Sequence, residues 1–594
     1  MFKINKENLR KFESCGGWWI TAMLAIIIFC WIPFLRYTDR FGEFVDWDFF
    51  LANYEAIRKT IVEYGQFPFW NPWHFGGTPL FANPQFGVLS IETVCVIIFG
   101  AVYGLRISML LYTLCGAVGM WMLLGDYARN YLARFWGSII FALSGALALH
   151  MSAGHSVMNS ITLLPWMIFC LRRLNVSIRA ALWLGFLAGM AVNHSMHYAT
   201  FIAATFAGLF FIAEWIRNIK SKQFALNSLL ALLTFLLTGS YRLLTTLKFC
   251  SEYPRTMNMR FDIGFHHYLL ALIYPGQHLV TFPDVVKFYW SWFEIGCYVG
   301  IIALTIFFIS AIRELKWWHW GFIIGSMLTI NSSCKFLPGY WLREIPPFTS
   351  FFCISRWRLL VVFFIAFGCC RGLDWLLDKF PEAPHRRRLY LLIMLSVCGL
   401  IYNQYCNWTN MVWVKESDVI GQVKESSDSI LTLNNHAYNR YASTHKGIAQ
   451  LFDFEPMLGY MREYKNKRFA SGSPYYQGEF FALKGKVSDV KWSPNYIVIT
   501  CSEPSDILVN QNPGNYWRDI DGNLLFPDLK GFDTDKHFIV KSEQAGELIL
   551  RALPPLHTTG LLTSACSGIL LLIILFSIRI AERRKNNLHE LNVK

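Results

Sequence analysis

The chain has 594 residues, 54% of them hydrophobic and only 16% charged, against roughly 25% charged in soluble domains. Apolar runs long enough to cross a hydrocarbon core of about 30 Å recur from end to end, which excludes an ordinary soluble enzyme. The net charge of +14 reads as membrane topology, because Lys and Arg gather in cytoplasmic loops, and not as a nucleic-acid partner.

The first apolar run, about residues 17–34, follows a basic start (Lys3, Lys6, Arg10, Lys11) and ends in aromatics and Arg36. A small-residue cleavage site is missing, so an uncleaved first span is expected. Seven basic clusters punctuate the chain: the N-terminus and residues 126–134, 171–179, 217–222, 313–316, 379–388 and 579–585. Placing all seven in the cytoplasm requires an even number of spans between successive clusters. The spans then fall near 17–35, 105–125, 135–150, 157–171, 178–194, 197–215, 224–241, 296–312, 318–332, 357–375, 388–405 and 558–579, about twelve in all. Residues 88–102 are apolar but short and contain Glu92. They fit an interfacial or re-entrant helix better than a thirteenth span.

The expected fold is therefore an α-helical polytopic membrane protein with a C-terminal, extracytoplasmic, mainly-β domain. Residues 1–405 form the transmembrane domain with a large first outer loop, 36–104. Residues 406–557 form the outer domain, and 558–594 the last span with a basic cytoplasmic tail. Within 406–557 the apolar runs are short and β-rich ("YIVIT", "DILVN", "HFIVK", "ELILRAL"), and Asp521-Gly522 offers a hairpin turn. Most of the 15 cysteines sit inside apolar runs as small core residues. Cys406 and Cys501 could pair, although no spacing demands it.

Just past the first span, Phe50, Leu51, Tyr54, Ile57, Ile61 and Tyr64 recur at helical spacing opposite Glu55, Arg58, Lys59 and Glu63. That pattern predicts an amphipathic helix on the outer membrane face, with Asp46 and Asp48 at its start. One aspartate, more naturally Asp48, suits helix capping. Asp46 is then a candidate general base toward a sugar hydroxyl. Residues two apart on a helix point to nearly opposite sides, which disfavours the paired carboxyls of a glycosidase. On an extended segment they could instead converge on one metal ion.

The next stretch, "QFPFWNPWHFGGTPLFANPQF", is uncharged and broken by four prolines and a Gly-Gly pair. It is expected to be the irregular floor of an outer site, its backbone satisfied by protein and its apolar surface a bed for a prenyl chain.

These motifs together resemble the bacterial YfhO-like family of multi-span membrane proteins, which look like GT-C-type glycosyltransferases. The resembling residues are Gly65, Pro68, Trp70, Asn71, Pro72, Gly77, Pro79, Ala82 and Pro84 after "DWD". Further matches are "SGALALHMSAGHSVMNSITLLPW", "NHSMHY" (with Asn193 where a Gly is usual), "EIGCYVG", "PPFTSFFCISRWR", "SPYYQGE", "WSPN" and "NQNPGNYW". The resemblance implies a polyprenyl-phosphate-linked sugar donor, a glycan or lipid acceptor, and no nucleic acid. It also implies the bacterial cytoplasmic (inner) membrane, with the site on the extracytoplasmic side.

All the motifs fall on the outer side of the topology. Asp46 and Asp48 are the candidate catalytic residues. His74, His155, His194, His197, Arg255, Glu294, Arg356 and Arg358 are the candidate substrate contacts. Arg suits bidentate phosphate binding, with Arg242 in reserve, and a divalent ion such as Mg or Mn could assist. The rival readings are a transporter or flippase for lipid-linked glycans and a non-catalytic envelope-assembly protein. Mid-membrane charges, broken helices and repeats would mark the transporter.

Overall fold

The computed structural model describes residues 16–43, 45–253, 264–278, 292–330, 335–342, 344–345, 348–350, 354–423, 431–433, 440–450, 468–469, 473–530, 533 and 536–593. Arg255 lies outside the described residues.

Every expected span coincides with a helix, but among the described residues eight helical segments are long and apolar enough to cross a membrane. They are Gly16–Leu35, Ile91–Leu124, Tyr131–Ser152, Tyr198–Arg217, Lys222–Glu252, Ser355–Lys379, Ala383–Thr409 and His557–Ile580. The other four expected spans are shorter. Ser156–Leu171 begins as a buried 3₁₀ stretch, Ile178–His194 has 17 residues, and Ile301–Arg313 and Trp317–Thr329 have 13 each. At 1.5 Å per residue, 13 residues reach only about 20 Å. Among the described residues twelve full-length spans are therefore not confirmed.

Residues 88–102 behave as a re-entrant element. The helix Ile91–Leu124 breaks at Gly100, whose φ of 78° and ψ of 164° are non-helical. A Cβ at Gly104 would stand 2.4 Å from the Cys95 carbonyl oxygen, whereas nine residues of straight helix span about 13 Å. The chain thus reverses at Gly100, and the short arm lies folded back on the long one. Val94, Ile98 and Phe99 on that arm remain exposed, as suits a surface facing lipid.

The β-rich region within 406–557, called the outer domain after its expected side of the membrane, holds a parallel strand pair, Leu431–Leu433 with Ile448–Gln450, and two larger antiparallel sheets. One has three strands, Phe480–Ala482, Ser505–Val509 and Phe538–Ser542. The other has four, Val487–Ser493, Tyr496–Cys501, Gly546–Ala552 and Trp517–Arg518. The four β-rich runs of the sequence each become a strand within a residue of the expected bounds. Gly522, at φ 88°, turns the chain back from Trp517–Arg518 so that Arg518 bridges Leu524. Cys406 and Cys501 are both free thiols.

The proline-rich loop is not an open floor. Residues 66–86 are almost wholly buried, lying between the surface helix and the outer domain, so they offer no exposed bed for a prenyl chain. A loop with this little regular structure must find partners for its backbone elsewhere, and "NQNPGNYW" and its neighbours supply them. Asn512 Nδ2 donates to the carbonyls of Phe75 (2.7 Å) and Gly77 (2.8 Å), and its amide donates to Gly76 O (2.7 Å). Gln511 Oε1 accepts from the Trp70 indole at 2.9 Å, and Asn495 Nδ2 donates to Phe67 O at 2.6 Å. Trp70 and Phe75 are buried in the same cluster as Ile497, Ile507, Trp517 and Phe538 of the β domain.

Gly77 is required twice over. Its φ is +102°, and an added Cβ would meet the Trp70 ring at 2.8 Å. From below, Arg242 donates to the carbonyls of Asn83 and Phe86 (2.7 Å to the latter). Arg242 therefore anchors the loop. Its helix, Lys222–Glu252, runs on into the outer domain, where Phe249 joins the β core and Glu252 accepts from Asn515 at 2.8 Å.

Replacing Asn512 by Ala strips the side-chain donor from two buried carbonyls, at a cost of about 1–3 kcal/mol each. The thermal midpoint of the purified protein should fall and trypsin should cut the outer domain faster. An unchanged midpoint and cleavage rate would remove the anchoring role.

Candidate active site

The surface helix is Val45–Val62, with Asp46 and Asp48 both in its first turn. Each helical residue advances about 100°, so positions 46 and 48 face opposite ways while 48 and 55, seven apart, share a face. The structure uses both faces.

Asp48 faces the outer domain. Its carboxylate accepts the backbone N–H groups of Arg440 (3.1 Å) and Tyr441 (2.9 Å), which open the short helix Arg440–His445. Asp48 thus caps a helix, as its residue type suggests, but that helix is remote in sequence. Glu55 takes the other end, its Oε1 lying 3.0 Å from His445 Nδ1. Arg58 grips the same carboxylate with two donors, at 2.8 and 2.7 Å. Asp48 is 5% exposed, and these contacts anchor the helix Arg440–His445.

Asp46 faces the membrane body. Its Oδ2 lies 2.7 Å from His155 Nε2, and a quarter of its side chain remains exposed. His155 stands at the turn between the helix Gly145–Ser152 and the 3₁₀ stretch Ser156–Leu163. Its Nδ1 lies 3.1 Å from Nδ1 of His150. His150 Nε2 in turn lies 2.9 Å from Arg358 Nη2. Arg358 is completely buried and also donates to the carbonyls of Gly296 (2.8 Å), Glu294 and Phe293. These contacts tie it into the protein core of the cluster.

Arg356 pairs with Glu294 through two hydrogen bonds, 3.0 and 2.6 Å, and its guanidinium lies 4.2 Å from the Tyr198 ring centroid. Burial pushes the Glu294 carboxyl up, but the Arg356 charge and hydrogen bonds outweigh it and hold Glu294 below the usual range. His197 sits edge-on to Tyr198, with ring centroids 4.3 Å apart, and so borders the same cluster.

Two of the expected histidines lie elsewhere. His74 is buried against Phe49, and its carbonyl accepts the Gly77 amide inside the loop. His194 Nε2 lies 2.6 Å from Glu92 Oε1, an ion-pair contact by distance. Tyr112 at 3.3 Å and Asn159 at 3.4 Å also reach that carboxylate.

His150 was missed as a residue of the cluster, and Glu92 as the partner of His194. His150 ends an otherwise apolar helix, and its spacing of five from His155 has no helical meaning until the chain turns between them. Glu92 stands out only as a charge in an apolar run.

The donor set does not fit a divalent ion. Asp46 and Asp48 diverge, Asp48 is occupied by amides, and Glu294 is neutralised by Arg356. Among the described residues no three His, Cys, Asp or Glu side chains form a metal-ligand group.

No protein-family model matches the chain, and no curated protein matches it. Among solved structures it is similar to the cryo-EM structure of the arabinofuranosyltransferase AftD from Mycobacteria. That match has a TM-score of 0.40 and 13% identity, covering 65% of this chain and 27% of that one. A mutant of AftD gives 0.39 and 13%, covering 66% and 28%. The chain thus spans less than a third of AftD, and a likeness at this level says nothing of its activity.

The clamp on Arg440–His445 has a pH dependence of known sign. Burial raises the Glu55 carboxyl, but Arg58 and His445 together bring it down from 4.5 to about 2. A depressed carboxyl stabilises the fold fully above its unfolded value, and the contribution is lost as pH falls toward the folded one. The thermal midpoint should therefore drop between about pH 4.5 and pH 2, where Glu55 takes up its proton. A Glu55→Gln variant should start lower at neutral pH and decline less across that window. Parallel wild-type and variant profiles would contradict this assignment.

Proposed function

We propose that the chain is an integral membrane glycosyltransferase of the GT-C type. In this reading it moves a sugar from a polyprenyl-phosphate donor to a glycan or lipid acceptor on the outer face of the bacterial cytoplasmic membrane. The observation that carries the reading is Asp46: a partly exposed carboxylate at the open end of an otherwise buried chain of histidines and arginine. The YfhO-like motifs support it as well, since the residues of "DWD", "HMSAGH", "EIG" and "ISRWR" converge on that cluster.

Asp46 takes the proton of the acceptor hydroxyl as its oxygen attacks the anomeric carbon. The bond from that carbon to the phosphate oxygen breaks, its electron pair stays on oxygen, and polyprenyl phosphate leaves. Arg356, at the edge of the cluster beside Tyr198, stabilises the departing phosphate. Glu294 holds the guanidinium in place and tempers its charge. No metal ion takes part in this scheme. The outer domain, clamped to the far side of the surface helix, holds that helix and so Asp46 in place, and grips a glycan acceptor.

Substituting Asp46 by Asn keeps shape and removes the base. Sugar transfer in membranes should fall by roughly 100- to 10,000-fold, the usual worth of general base catalysis. Asp48→Asn keeps an oxygen for one of the Arg440 and Tyr441 amides and turns an NH2 toward the other, so it should lower the thermal midpoint while the folded protein retains transfer within a few-fold. An Asp46→Asn protein with full activity would sink the proposal.

A further inference from the structure

His150 lies directly behind His155 and is completely buried. The contacts around it fix where every proton in the chain must be. Arginine carries only donors and stays charged in proteins, so the His150 nitrogen that faces Arg358 at 2.9 Å has to accept. The proton of a neutral His150 is then on Nδ1, which donates to His155 Nδ1 at 3.1 Å. An accepting Nδ1 leaves the His155 proton on Nε2, which donates to Asp46 Oδ2 at 2.7 Å. Reversing the chain would set an N–H of Arg358 against an N–H of His150, an opposition that a buried site penalises heavily.

We propose that His150 is a positioning residue: held by Arg358, it locks His155 as the Nε2–H tautomer and so keeps Asp46 an acceptor at the open end. The catalytic consequence rests on the reading of Asp46 as the base, whereas the tautomers follow from the contacts alone.

Two effects result. His155 orients the Asp46 carboxylate with a neutral hydrogen bond, and in this chain it is the donor to Asp46 rather than the base. A second proton would set opposing N–H groups against Arg358 if it went to His150 Nε2 and against His150 if it went to His155 Nδ1, so the proton of the acceptor hydroxyl stays on Asp46. The other ionisable groups beside the chain are Glu294, paired with Arg356, and His197.

Ring-nitrogen NMR of the full chain in lipid, with isotope-labelled histidine, reads the tautomers directly. The His155 signals are assigned by their disappearance in His155→Gln. His155 should show a protonated, pyrrole-type Nε2 and a bare Nδ1, and His150 the reverse. His150→Phe should release His155 into a mixture of tautomers and lower transfer at least roughly tenfold. His150→Gln, whose amide has both an acceptor and a donor, should recover part of the loss.

A wild-type His155 protonated on Nδ1, or a tautomer unmoved by His150→Phe, overturns the proposal. The wild-type measurement needs no His150 variant to fold. If Asp46→Asn retained full transfer while the tautomer pattern held, the reading of function would fail and the assignment of the chain would stand.

Discussion

Everything at the candidate site follows from the turn of one helix. Successive residues of Val45–Val62 rotate by about 100°, so carboxylates at 46 and 48 cannot serve the same partner. Asp48 and Glu55 share one face and grip the two ends of Arg440–His445. Asp46 is left on the other face, against the membrane body and His155. The surface helix is therefore a partition, with the outer domain bolted to one side and a buried polar chain ending on the other.

The same division explains the proline-rich loop. A segment with almost no secondary structure can be buried only where other groups satisfy its carbonyls and amides. Here the satisfiers are Asn and Gln of the outer domain above and Arg242 below. Asn71 ties it sideways to Asn53 of the surface helix at 3.0 Å. The loop is thus the joint that sets the β domain at a fixed height over the membrane helices. The extension of Lys222–Glu252 into the β core braces the same joint.

Much of this was legible in the sequence because it depends on period and local chemistry. Helical spacing located the surface helix, apolar runs located the membrane helices, and β-rich runs gave the strands of the outer domain within a residue. Glu92, a lone charge in a short apolar run, told against a separate span for 88–102, where the chain folds back at Gly100. Contacts far apart in sequence were not legible. Asp48 meets partners some 392 residues away, and no local pattern distinguishes a carboxylate that caps its own helix from one that caps another. Arg358 looked like a phosphate ligand because it precedes a span, yet neighbouring carbonyls and His150 take its donors. Span number was less legible for a related reason. Loop charge constrains parity, but the length of each helix is set by packing, and Ile301–Arg313 and Trp317–Thr329 are too short to cross alone.

The central claim is that Asp46 acts on a lipid-linked sugar. The most direct test replaces the chromosomal copy with the Asp46→Asn form and profiles polyprenyl-phosphate sugars by mass spectrometry, beside a deletion strain. The account predicts that both strains accumulate the same lipid-linked sugar while an envelope glycan loses that sugar. A donor pool unchanged in the Asp46→Asn strain, with the glycan fully decorated, would contradict it.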